Sequence, residues 1–116
     1  MREAKLIQAL LDAGNTRADG RLWRNNIGVA VYKEKGREMR VKYGVGGTGG
    51  SDLIGFRRGQ FVAIEVKSSK KVAFPAWQQR FLTIVNEGGG YGAVCYPDNL
   101  ETVCKDLLNM TSYAIV

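Results

Sequence analysis

The chain has 116 residues, of which 45% are hydrophobic, so it suits one folded domain with a modest core and is too apolar for a disordered chain. Seventeen Lys and Arg residues against eleven Asp and Glu residues give a net charge of +6, which favours a polyanionic partner such as nucleic acid. Two cysteines and no histidine exclude a Cys/His zinc site and histidine-based catalysis, and no apolar run reaches the ~20 residues of a membrane span.

The N-terminal residues predict a helix over residues 2–13. Apolar side chains recur there at helical spacing: Ile7, Leu10 and Leu11 form the stripe, and Gly14 follows as a stop. Glu3 lies on the same stripe, where a glutamate serves either the helix macrodipole or a metal site. The first residues lack the layout of a secretory signal. We therefore expect the chain in the cytoplasm, where a disulfide is not favoured.

Residues 21–44 predict a two-stranded arm. Apolar residues alternate with polar ones on two runs, and Lys35-Gly36 between them is typical of a hairpin turn. Between Arg17 and Lys42, eight basic residues against three acidic ones leave a surplus of +5. A solvated face explains such charge in an ordinary protein, whereas phosphate binding is the better interpretation beside a metal site. The residues assigned to nucleic-acid binding are Arg24, Lys33, Lys35, Arg37, Arg40 and Lys42, with Lys70 and Lys71 farther along the chain.

The aromatic residues of this segment leave two interpretations open. Trp23, with Tyr32 or Tyr43, can stack on splayed bases, or it can pack across strands. Packing is the commoner role on a strand, so none of the three is assigned to the binding site.

A glycine-rich stretch from Gly44 to Gly50 leads to Asp52. It lacks the Gly-Lys-Ser/Thr ending of a phosphate-binding P-loop, so no nucleotide cofactor is expected. Its glycines allow close approach of backbone or DNA, or form a flexible linker between hairpins, and the pattern leaves both open.

The next two runs, residues 50–56 and 60–67, predict a hairpin that carries the main candidate site. The second run is apolar on both faces and is therefore expected to be a central strand. Glu65 and Lys67 share one of these faces, although charges are costly there unless they serve a function. The hairpin can bring Asp52 beside Glu65, and two hard oxygen donors at a strand edge suit Mg²⁺ or Mn²⁺.

The last third of the chain predicts a helix, a strand and a second helix. The first helix runs from about Pro75 to Glu87 and places Gln78 in its first turn, near the predicted end of the charged strand. A strand follows over residues 91–96. Asp98-x-x-Glu101 resembles a capping box that opens the last helix.

Four blocks in this order resemble the virus-type replication-repair nuclease (VRR-NUC) branch of the PD-(D/E)XK nucleases, in its standalone phage and bacterial form. The blocks are Trp23-Arg24-Asn25-Asn26-Ile27-Gly28, Gly50-Ser51-Asp52-Leu53-Ile54-Gly55, Ala63-Ile64-Glu65-Val66-Lys67, and Gln78-Gln79-Arg80-Phe81-Leu82 with Gly88-Gly89-Gly90. Ser51 departs from the superfamily's proline at a position that shapes the turn and carries no ligand.

The resemblance implies a restriction-endonuclease-like α/β sandwich, with a mixed central sheet flanked by helices in an αβββαβ order and an extra hairpin arm. It implies a Mg²⁺- or Mn²⁺-dependent endodeoxyribonuclease, as a homodimer that resolves Holliday junctions. A flap or single-strand-end nuclease and a catalytically silent nucleic-acid-binding module remain alternatives.

The expected site combines these residues. Asp52, Glu65 and the Val66 carbonyl are expected to hold the metal, and Lys67 is expected to act on the attacking water and on the developing charge. The resemblance adds Gln78 and a supporting Glu3, because the family has a glutamine and a first-helix glutamate in its active site. A structural Glu65–Lys67 ion pair is the alternative. The apolar segment 113–116 and the last helix offer a dimer surface, although the segment also suits an edge strand.

Overall fold

A computed structural model describes residues 1–109 of the chain, so segment 113–116, predicted to offer a dimer surface, lies outside the described residues. The helices are α1 (Glu3–Gly14), α2 (Ala76–Glu87) and α3 (Leu100–Asn109). The strands are β1 (Gly20–Arg24), β2 (Gly28–Glu34), β3 (Arg37–Tyr43), β4 (Leu53–Arg57), β5 (Gln60–Val66) and β6 (Tyr91–Cys95).

A mixed four-stranded sheet in the order β1-β4-β5-β6 organises the fold. β1, β4 and β5 are antiparallel, whereas β5 and β6 run parallel because α2 carries the chain back between them. The predicted α/β class, with a mixed central sheet flanked by helices, is confirmed. β5 lies between two strands, as its apolar pattern on both faces predicts.

Helices cover both faces of this sheet. One face of β5 carries Val62, Ile64 and Val66, which are buried in one core cluster with side chains of α1 and α3. On the other face, Ala63 is buried against Leu82 and Val85 of α2 in a second, smaller cluster. The alternation of side chains along one strand therefore supplies two separate cores.

The arm predicted over residues 21–44 is present as a separate two-stranded sheet of β2 and β3, but it begins only at Gly28, because residues 21–24 belong to β1 of the main sheet. Two-residue turns close this hairpin and the β4–β5 hairpin. Lys35 and Gly36 close the first turn and Arg58 and Gly59 the second, all four with positive φ. Glycine adopts this conformation without steric cost, which explains why both turns carry it in second position.

Two features of the C-terminal third differ from the sequence interpretation or go beyond it. The predicted Asp98–Glu101 capping box is wrong: a 3₁₀ turn precedes α3, and the Tyr96 N–H donates to Asn99 Oδ1 at 2.6 Å. Asp98 instead pairs with Lys70 at 3.0 Å. The C-terminal carbonyls of α3 accept hydrogen bonds from the buried guanidinium of Arg57. Its Nε donates to the Leu107 carbonyl at 2.9 Å.

Cys95 is buried, Cys104 is partly buried, and both are free cysteines. Among residues 1–109, no helix combines the length and the apolar character needed to cross a bilayer.

Candidate active site

The two predicted carboxylates meet at one end of the central hairpin. Leu53 pairs with Ile64, so continuing this register by one residue sets Asp52 opposite Glu65 on the α2 side of the sheet. The Val66 N–H donates to Asp52 Oδ2 at 2.8 Å, which ties the acid to the end of β5. The structure therefore brings together the acidic pair that the sequence pattern predicts.

Glu65 occupies a strongly unfavourable electrostatic environment. Its residue surface is only 4% exposed, whereas Asp52 is partly exposed. Burial, followed by the neighbouring Asp52 carboxylate, raises the pKa of Glu65 to about 8, and Lys67 opposes this rise only in part. The environment of Glu65 therefore favours its protonated form.

Lys67 lies next to this pair and is itself buried, at 6% exposed. Its Nζ donates to Gln78 Oε1 at 2.7 Å and lies 3.6 Å from Glu65 Oε1. The centroid of the Phe74 ring lies 5.7 Å from the same ammonium. Gln78 therefore joins the site through Lys67, because the first turn of α2 lies over the end of β5.

Asn25 is the positioning residue to which the sequence interpretation assigned no role. Its side chain exchanges two hydrogen bonds with the Val45 backbone, at 2.7 and 3.0 Å, and donates to the Ser51 carbonyl at 3.0 Å. The Asn25 N–H also donates to the Asp52 carbonyl at 2.8 Å. Asn25 thus clamps both ends of the glycine-rich loop and sets the backbone of Asp52. Asn25 belongs to the first of the four blocks that carry the family resemblance, and this was the signal by which the sequence could have identified it.

The glycine-rich loop is packed against α2, which favours the interpretation that its glycines allow the close approach of backbone. A Cβ on Gly49 would lie 2.6 Å from the Trp77 carbonyl, and one on Gly46 would lie 2.5 Å from the Phe81 ring. Ser51, which stands in the proline position, is buried and donates its hydroxyl to the Leu53 carbonyl at 2.8 Å. These interactions hold the chain that leads into Asp52.

Glu3 requires a correction, because it is exposed and does not lie on the buried stripe of α1. The buried residues of that helix start at Leu6, one turn later, since the first turn extends past the core. The first turn borders a surface depression near Ser68, at the same end of the sheet as the site. Within residues 1–109, however, no three acidic or cysteine side chains form a metal-binding group, so Glu3 is not joined to the Asp52–Glu65 pair.

The predicted nucleic-acid-binding residues lie at the surface, at three places. Arg24 ends β1 of the main sheet, and the residues of the arm project from β2, β3 and their turn. Lys33, Arg40 and Lys42 share one face of the arm, according to its register, and Arg40 also bonds Glu38 at 3.1 Å. Lys35 and Arg37 are exposed at the tip. Lys71 is exposed after β5, next to Lys70, which is engaged by Asp98.

No protein family matches this chain, and a search of curated proteins finds no significant match.

Proposed function

We propose that this protein is a divalent-metal-dependent endodeoxyribonuclease, with a VRR-NUC-like site on a restriction-endonuclease-like sandwich. One observation carries the proposal. The Asp52–Glu65 pair, with Glu65 buried, lies beside the Lys67–Gln78 pair at the end of the central strand. Such an arrangement is costly for stability and is typical of a functional site.

The residues present fit Mg²⁺ or Mn²⁺. Both ions take hard oxygen ligands, and Mg²⁺ commonly binds through one or two carboxylates while it keeps several waters, so a third acid is not required. Asp52, Glu65 and the Val66 carbonyl would hold the ion, and its charge would favour the ionised form of Glu65, whose pKa is raised first by burial and then by the neighbouring Asp52 carboxylate. When bound, the ion would supply Lewis-acid activation of the scissile phosphate.

The protein's own groups have separate roles in this proposal. Lys67 lies within 3.6 Å of Glu65, so its ammonium can orient the attacking water and offset charge that develops on the phosphate oxygens. Gln78 accepts a hydrogen bond from Lys67 and keeps the ammonium in one orientation. Asn25 and the Val66 N–H hold Asp52 in place before substrate binds.

The order of elements supports the sandwich assignment. When the β2–β3 arm is left out, the chain runs helix, three antiparallel strands, helix, parallel strand. This is the αβββαβ order implied by the resemblance. Because fold alone does not determine activity, the proposal depends on the site.

A titration of Mg²⁺ or Mn²⁺ against labelled branched, flapped and linear DNA tests the nuclease. Cleavage is expected with either metal and is lost in EDTA. Asp52→Asn and Glu65→Gln should abolish cleavage and retain DNA affinity, because neither substitution adds negative charge or removes a cation near the phosphates. Glu87→Gln, at the exposed end of α2, is the matched control and should cleave normally.

A readout without cleavage supports the same test. Mg²⁺ should raise the unfolding temperature of the unmodified protein and of Glu87→Gln, and should have little effect on Glu65→Gln. If the protein binds DNA but cleaves none of these substrates with any metal, the function is that of a catalytically silent nucleic-acid-binding module.

Within this activity, we retain the four-way junction as the preferred substrate of a homodimer. A chain with one site cuts one strand at a time, and two-fold symmetry places a second site in fixed relation to the first. Light scattering at micromolar protein and mapping of nicks on all four junction strands test the two parts. A monomer that trims flaps and leaves junctions whole would support the flap nuclease instead.

A further inference from the structure

The α2 side of the sheet is only partly covered by α2. Over β1, β4 and the start of β5, three aromatic side chains lie at the surface of this face. They are Trp23, Phe56 and Phe61, at 52%, 43% and 41% exposed, and together we call them the aromatic platform. Folded domains seldom leave aromatic rings clustered and exposed without a binding role.

The strand register places the aromatic platform on the same face as the carboxylate pair. Trp23 is paired with Ile54, two residues beyond Asp52 on β4, and Phe56 is paired with Phe61 two residues further on. Two residues along a strand span about 7 Å. Measured along the strands, Trp23 therefore lies about 7 Å from the Asp52–Glu65 pair, and the two phenylalanines lie about twice as far from it.

Cross-strand packing accounts for only part of this arrangement. The Trp23 and Phe56 rings contact each other, with centroids 6.0 Å apart and planes at 49°. Each of the two side chains nevertheless keeps about half of its surface exposed. The sequence interpretation of Trp23 as a packing residue is thus incomplete.

The surroundings of the aromatic platform are cationic. Arg21 is paired with Phe56 in the register, and Arg58 is exposed at the adjoining β4–β5 turn. Arg58 also lines an open depression of about 510 Å³ together with Phe61 and Ile84. Asp19 is the acid beside this turn, and it already pairs with the buried Arg57 and with Arg58. Aromatic rings flanked by arginines suit bases and phosphates better than an apolar peptide.

We propose that the aromatic platform stacks the unpaired bases of a single-stranded DNA segment whose backbone continues into the Asp52–Glu65 site. The inference rests on the proposed nuclease function and adds to it the class of substrate. A base in a duplex has its faces covered by its neighbours, so only an unpaired strand can place its bases on these rings. The substrate is therefore DNA that exposes unpaired bases next to the cleaved bond, and for a four-way junction this requires base pairs at the crossover to open.

Equilibrium binding in EDTA tests the aromatic platform without cleavage. The probes are a single-stranded oligonucleotide of about 12 nucleotides and the duplex of the same sequence. Trp23→Ala and Phe56→Ala should each weaken single-strand binding at least about fivefold and change duplex binding less than about twofold. Trp23→Phe should restore most of the affinity, because it keeps a stacking ring, and circular dichroism checks that each variant is folded.

Tyr32→Ala is the matched control, since Tyr32 is a similarly exposed aromatic, 58% exposed, on the arm. It should bind single strands like the unmodified protein. An equal reduction in Tyr32→Ala, or unchanged single-strand affinity in Trp23→Ala and Phe56→Ala, would overturn the proposal.

Fluorescence gives a direct report of stacking. The chain has two tryptophans, so Trp77→Phe leaves Trp23 as the only one. Single-stranded DNA should quench this emission in EDTA, and the matching duplex should not. Absence of quenching at saturating DNA contradicts stacking on Trp23.

The same variants separate this inference from the proposed function and from self-association. Trp23-dependent single-strand binding without any metal-dependent cleavage would support the aromatic platform and reject the nuclease. Cleavage that proceeds normally in Trp23→Ala, with normal single-strand affinity, would support the nuclease and reject the aromatic platform. If Trp23→Ala instead converts a dimer to a monomer in light scattering, the face is an interface between copies and the proposal fails.

Discussion

Two hairpins of this protein have the same local design and opposite surroundings. Both β2–β3 and β4–β5 close through a basic residue and a glycine with positive φ. β4–β5 lies in the middle of the main sheet, where residues 62–66 are all buried. Every residue of β3 in the arm is exposed. Turn chemistry therefore determines where a hairpin forms and leaves its burial undetermined.

The side-chain pattern accounts for the difference. β5 is apolar on both faces up to Glu65, so it can be stable only between two layers. On the arm, one face carries Lys33, Arg40 and Lys42 together with Glu38 and two valines, and such charges are not buried without partners. An isolated two-stranded hairpin is marginally stable in water, so the arm depends on the rest of the chain for its order and is free to contact a substrate.

The largest expected contrast is in stability. Ile64→Ala should lower the free energy of unfolding by about 3 kcal/mol, because Ile64 is fully buried in β5 and its removal leaves a cavity. Val31→Ala, at a position that is 49% exposed on the arm, should cost less than about 0.5 kcal/mol. Urea unfolding measures both. Similar costs would mean that the arm packs as tightly as the core.

The buried hairpin should also make stability depend on pH. The folded state holds a proton on Glu65 up to about pH 8, whereas the unfolded state loses it near the ordinary pKa of 4.5. Unfolding free energy in EDTA should therefore fall as pH rises from about 4.5 to about 8, and then level off.

Glu65→Gln removes this titration, so over the same range its curve should be flatter than that of the unmodified protein. Glu38→Gln on the arm should leave the curve unchanged. Chemical denaturation at a series of pH values measures all three. The opposite result is a stability that rises across this pH range in the unmodified protein and stays constant in Glu65→Gln. That result would mean that the folded state stabilises the Glu65 carboxylate as an anion.

Lysines on the two hairpins should differ in their effect on turnover. Lys67→Ala should lower the rate of DNA cleavage in Mg²⁺ by roughly 10²-fold, about 2.7 kcal/mol in activation free energy, because no other ammonium is within reach of Glu65 in the described part of the chain. Lys33→Ala should cleave at nearly the normal rate under saturating DNA. Single-turnover kinetics measures both, with DNA affinity as a check on folding. A Lys67→Ala protein that is unstable yet cleaves normally would identify a structural ion pair.

The smallest expected effect concerns the arm's charge. Replacing Lys33, Arg40 and Lys42 together with glutamine should weaken DNA binding about tenfold at low salt, because exposed cations bind phosphates through screened interactions. The slope of log affinity against log salt should fall by about 0.9 for each phosphate that the arm no longer neutralises. Lys105→Gln, on α3, is the control. An unchanged slope would exclude the arm from the DNA interface.

Features that depend on neighbouring residues were predictable from the sequence. The two hairpin turns, the helix stop at Gly14 and the central place of β5 follow from glycine positions and from side-chain alternation. The meeting of Asp52 with Glu65 was predictable for the same reason, since a short turn joins their strands. Gln78 was placed near the site by the resemblance, and the structure brings it to Lys67.

Features that depend on how distant elements dock were decided by the tertiary structure. Asn25 clamps a loop twenty residues away, and β1 joins the main sheet across the whole length of the arm. The exposure of Glu3 depends on how far α1 extends past the core, which helical spacing cannot report. The aromatic platform exists because α2 covers only part of one sheet face. A strand pattern determines which side chains share a face, and only the packing of other elements determines which part of that face is left open to solvent.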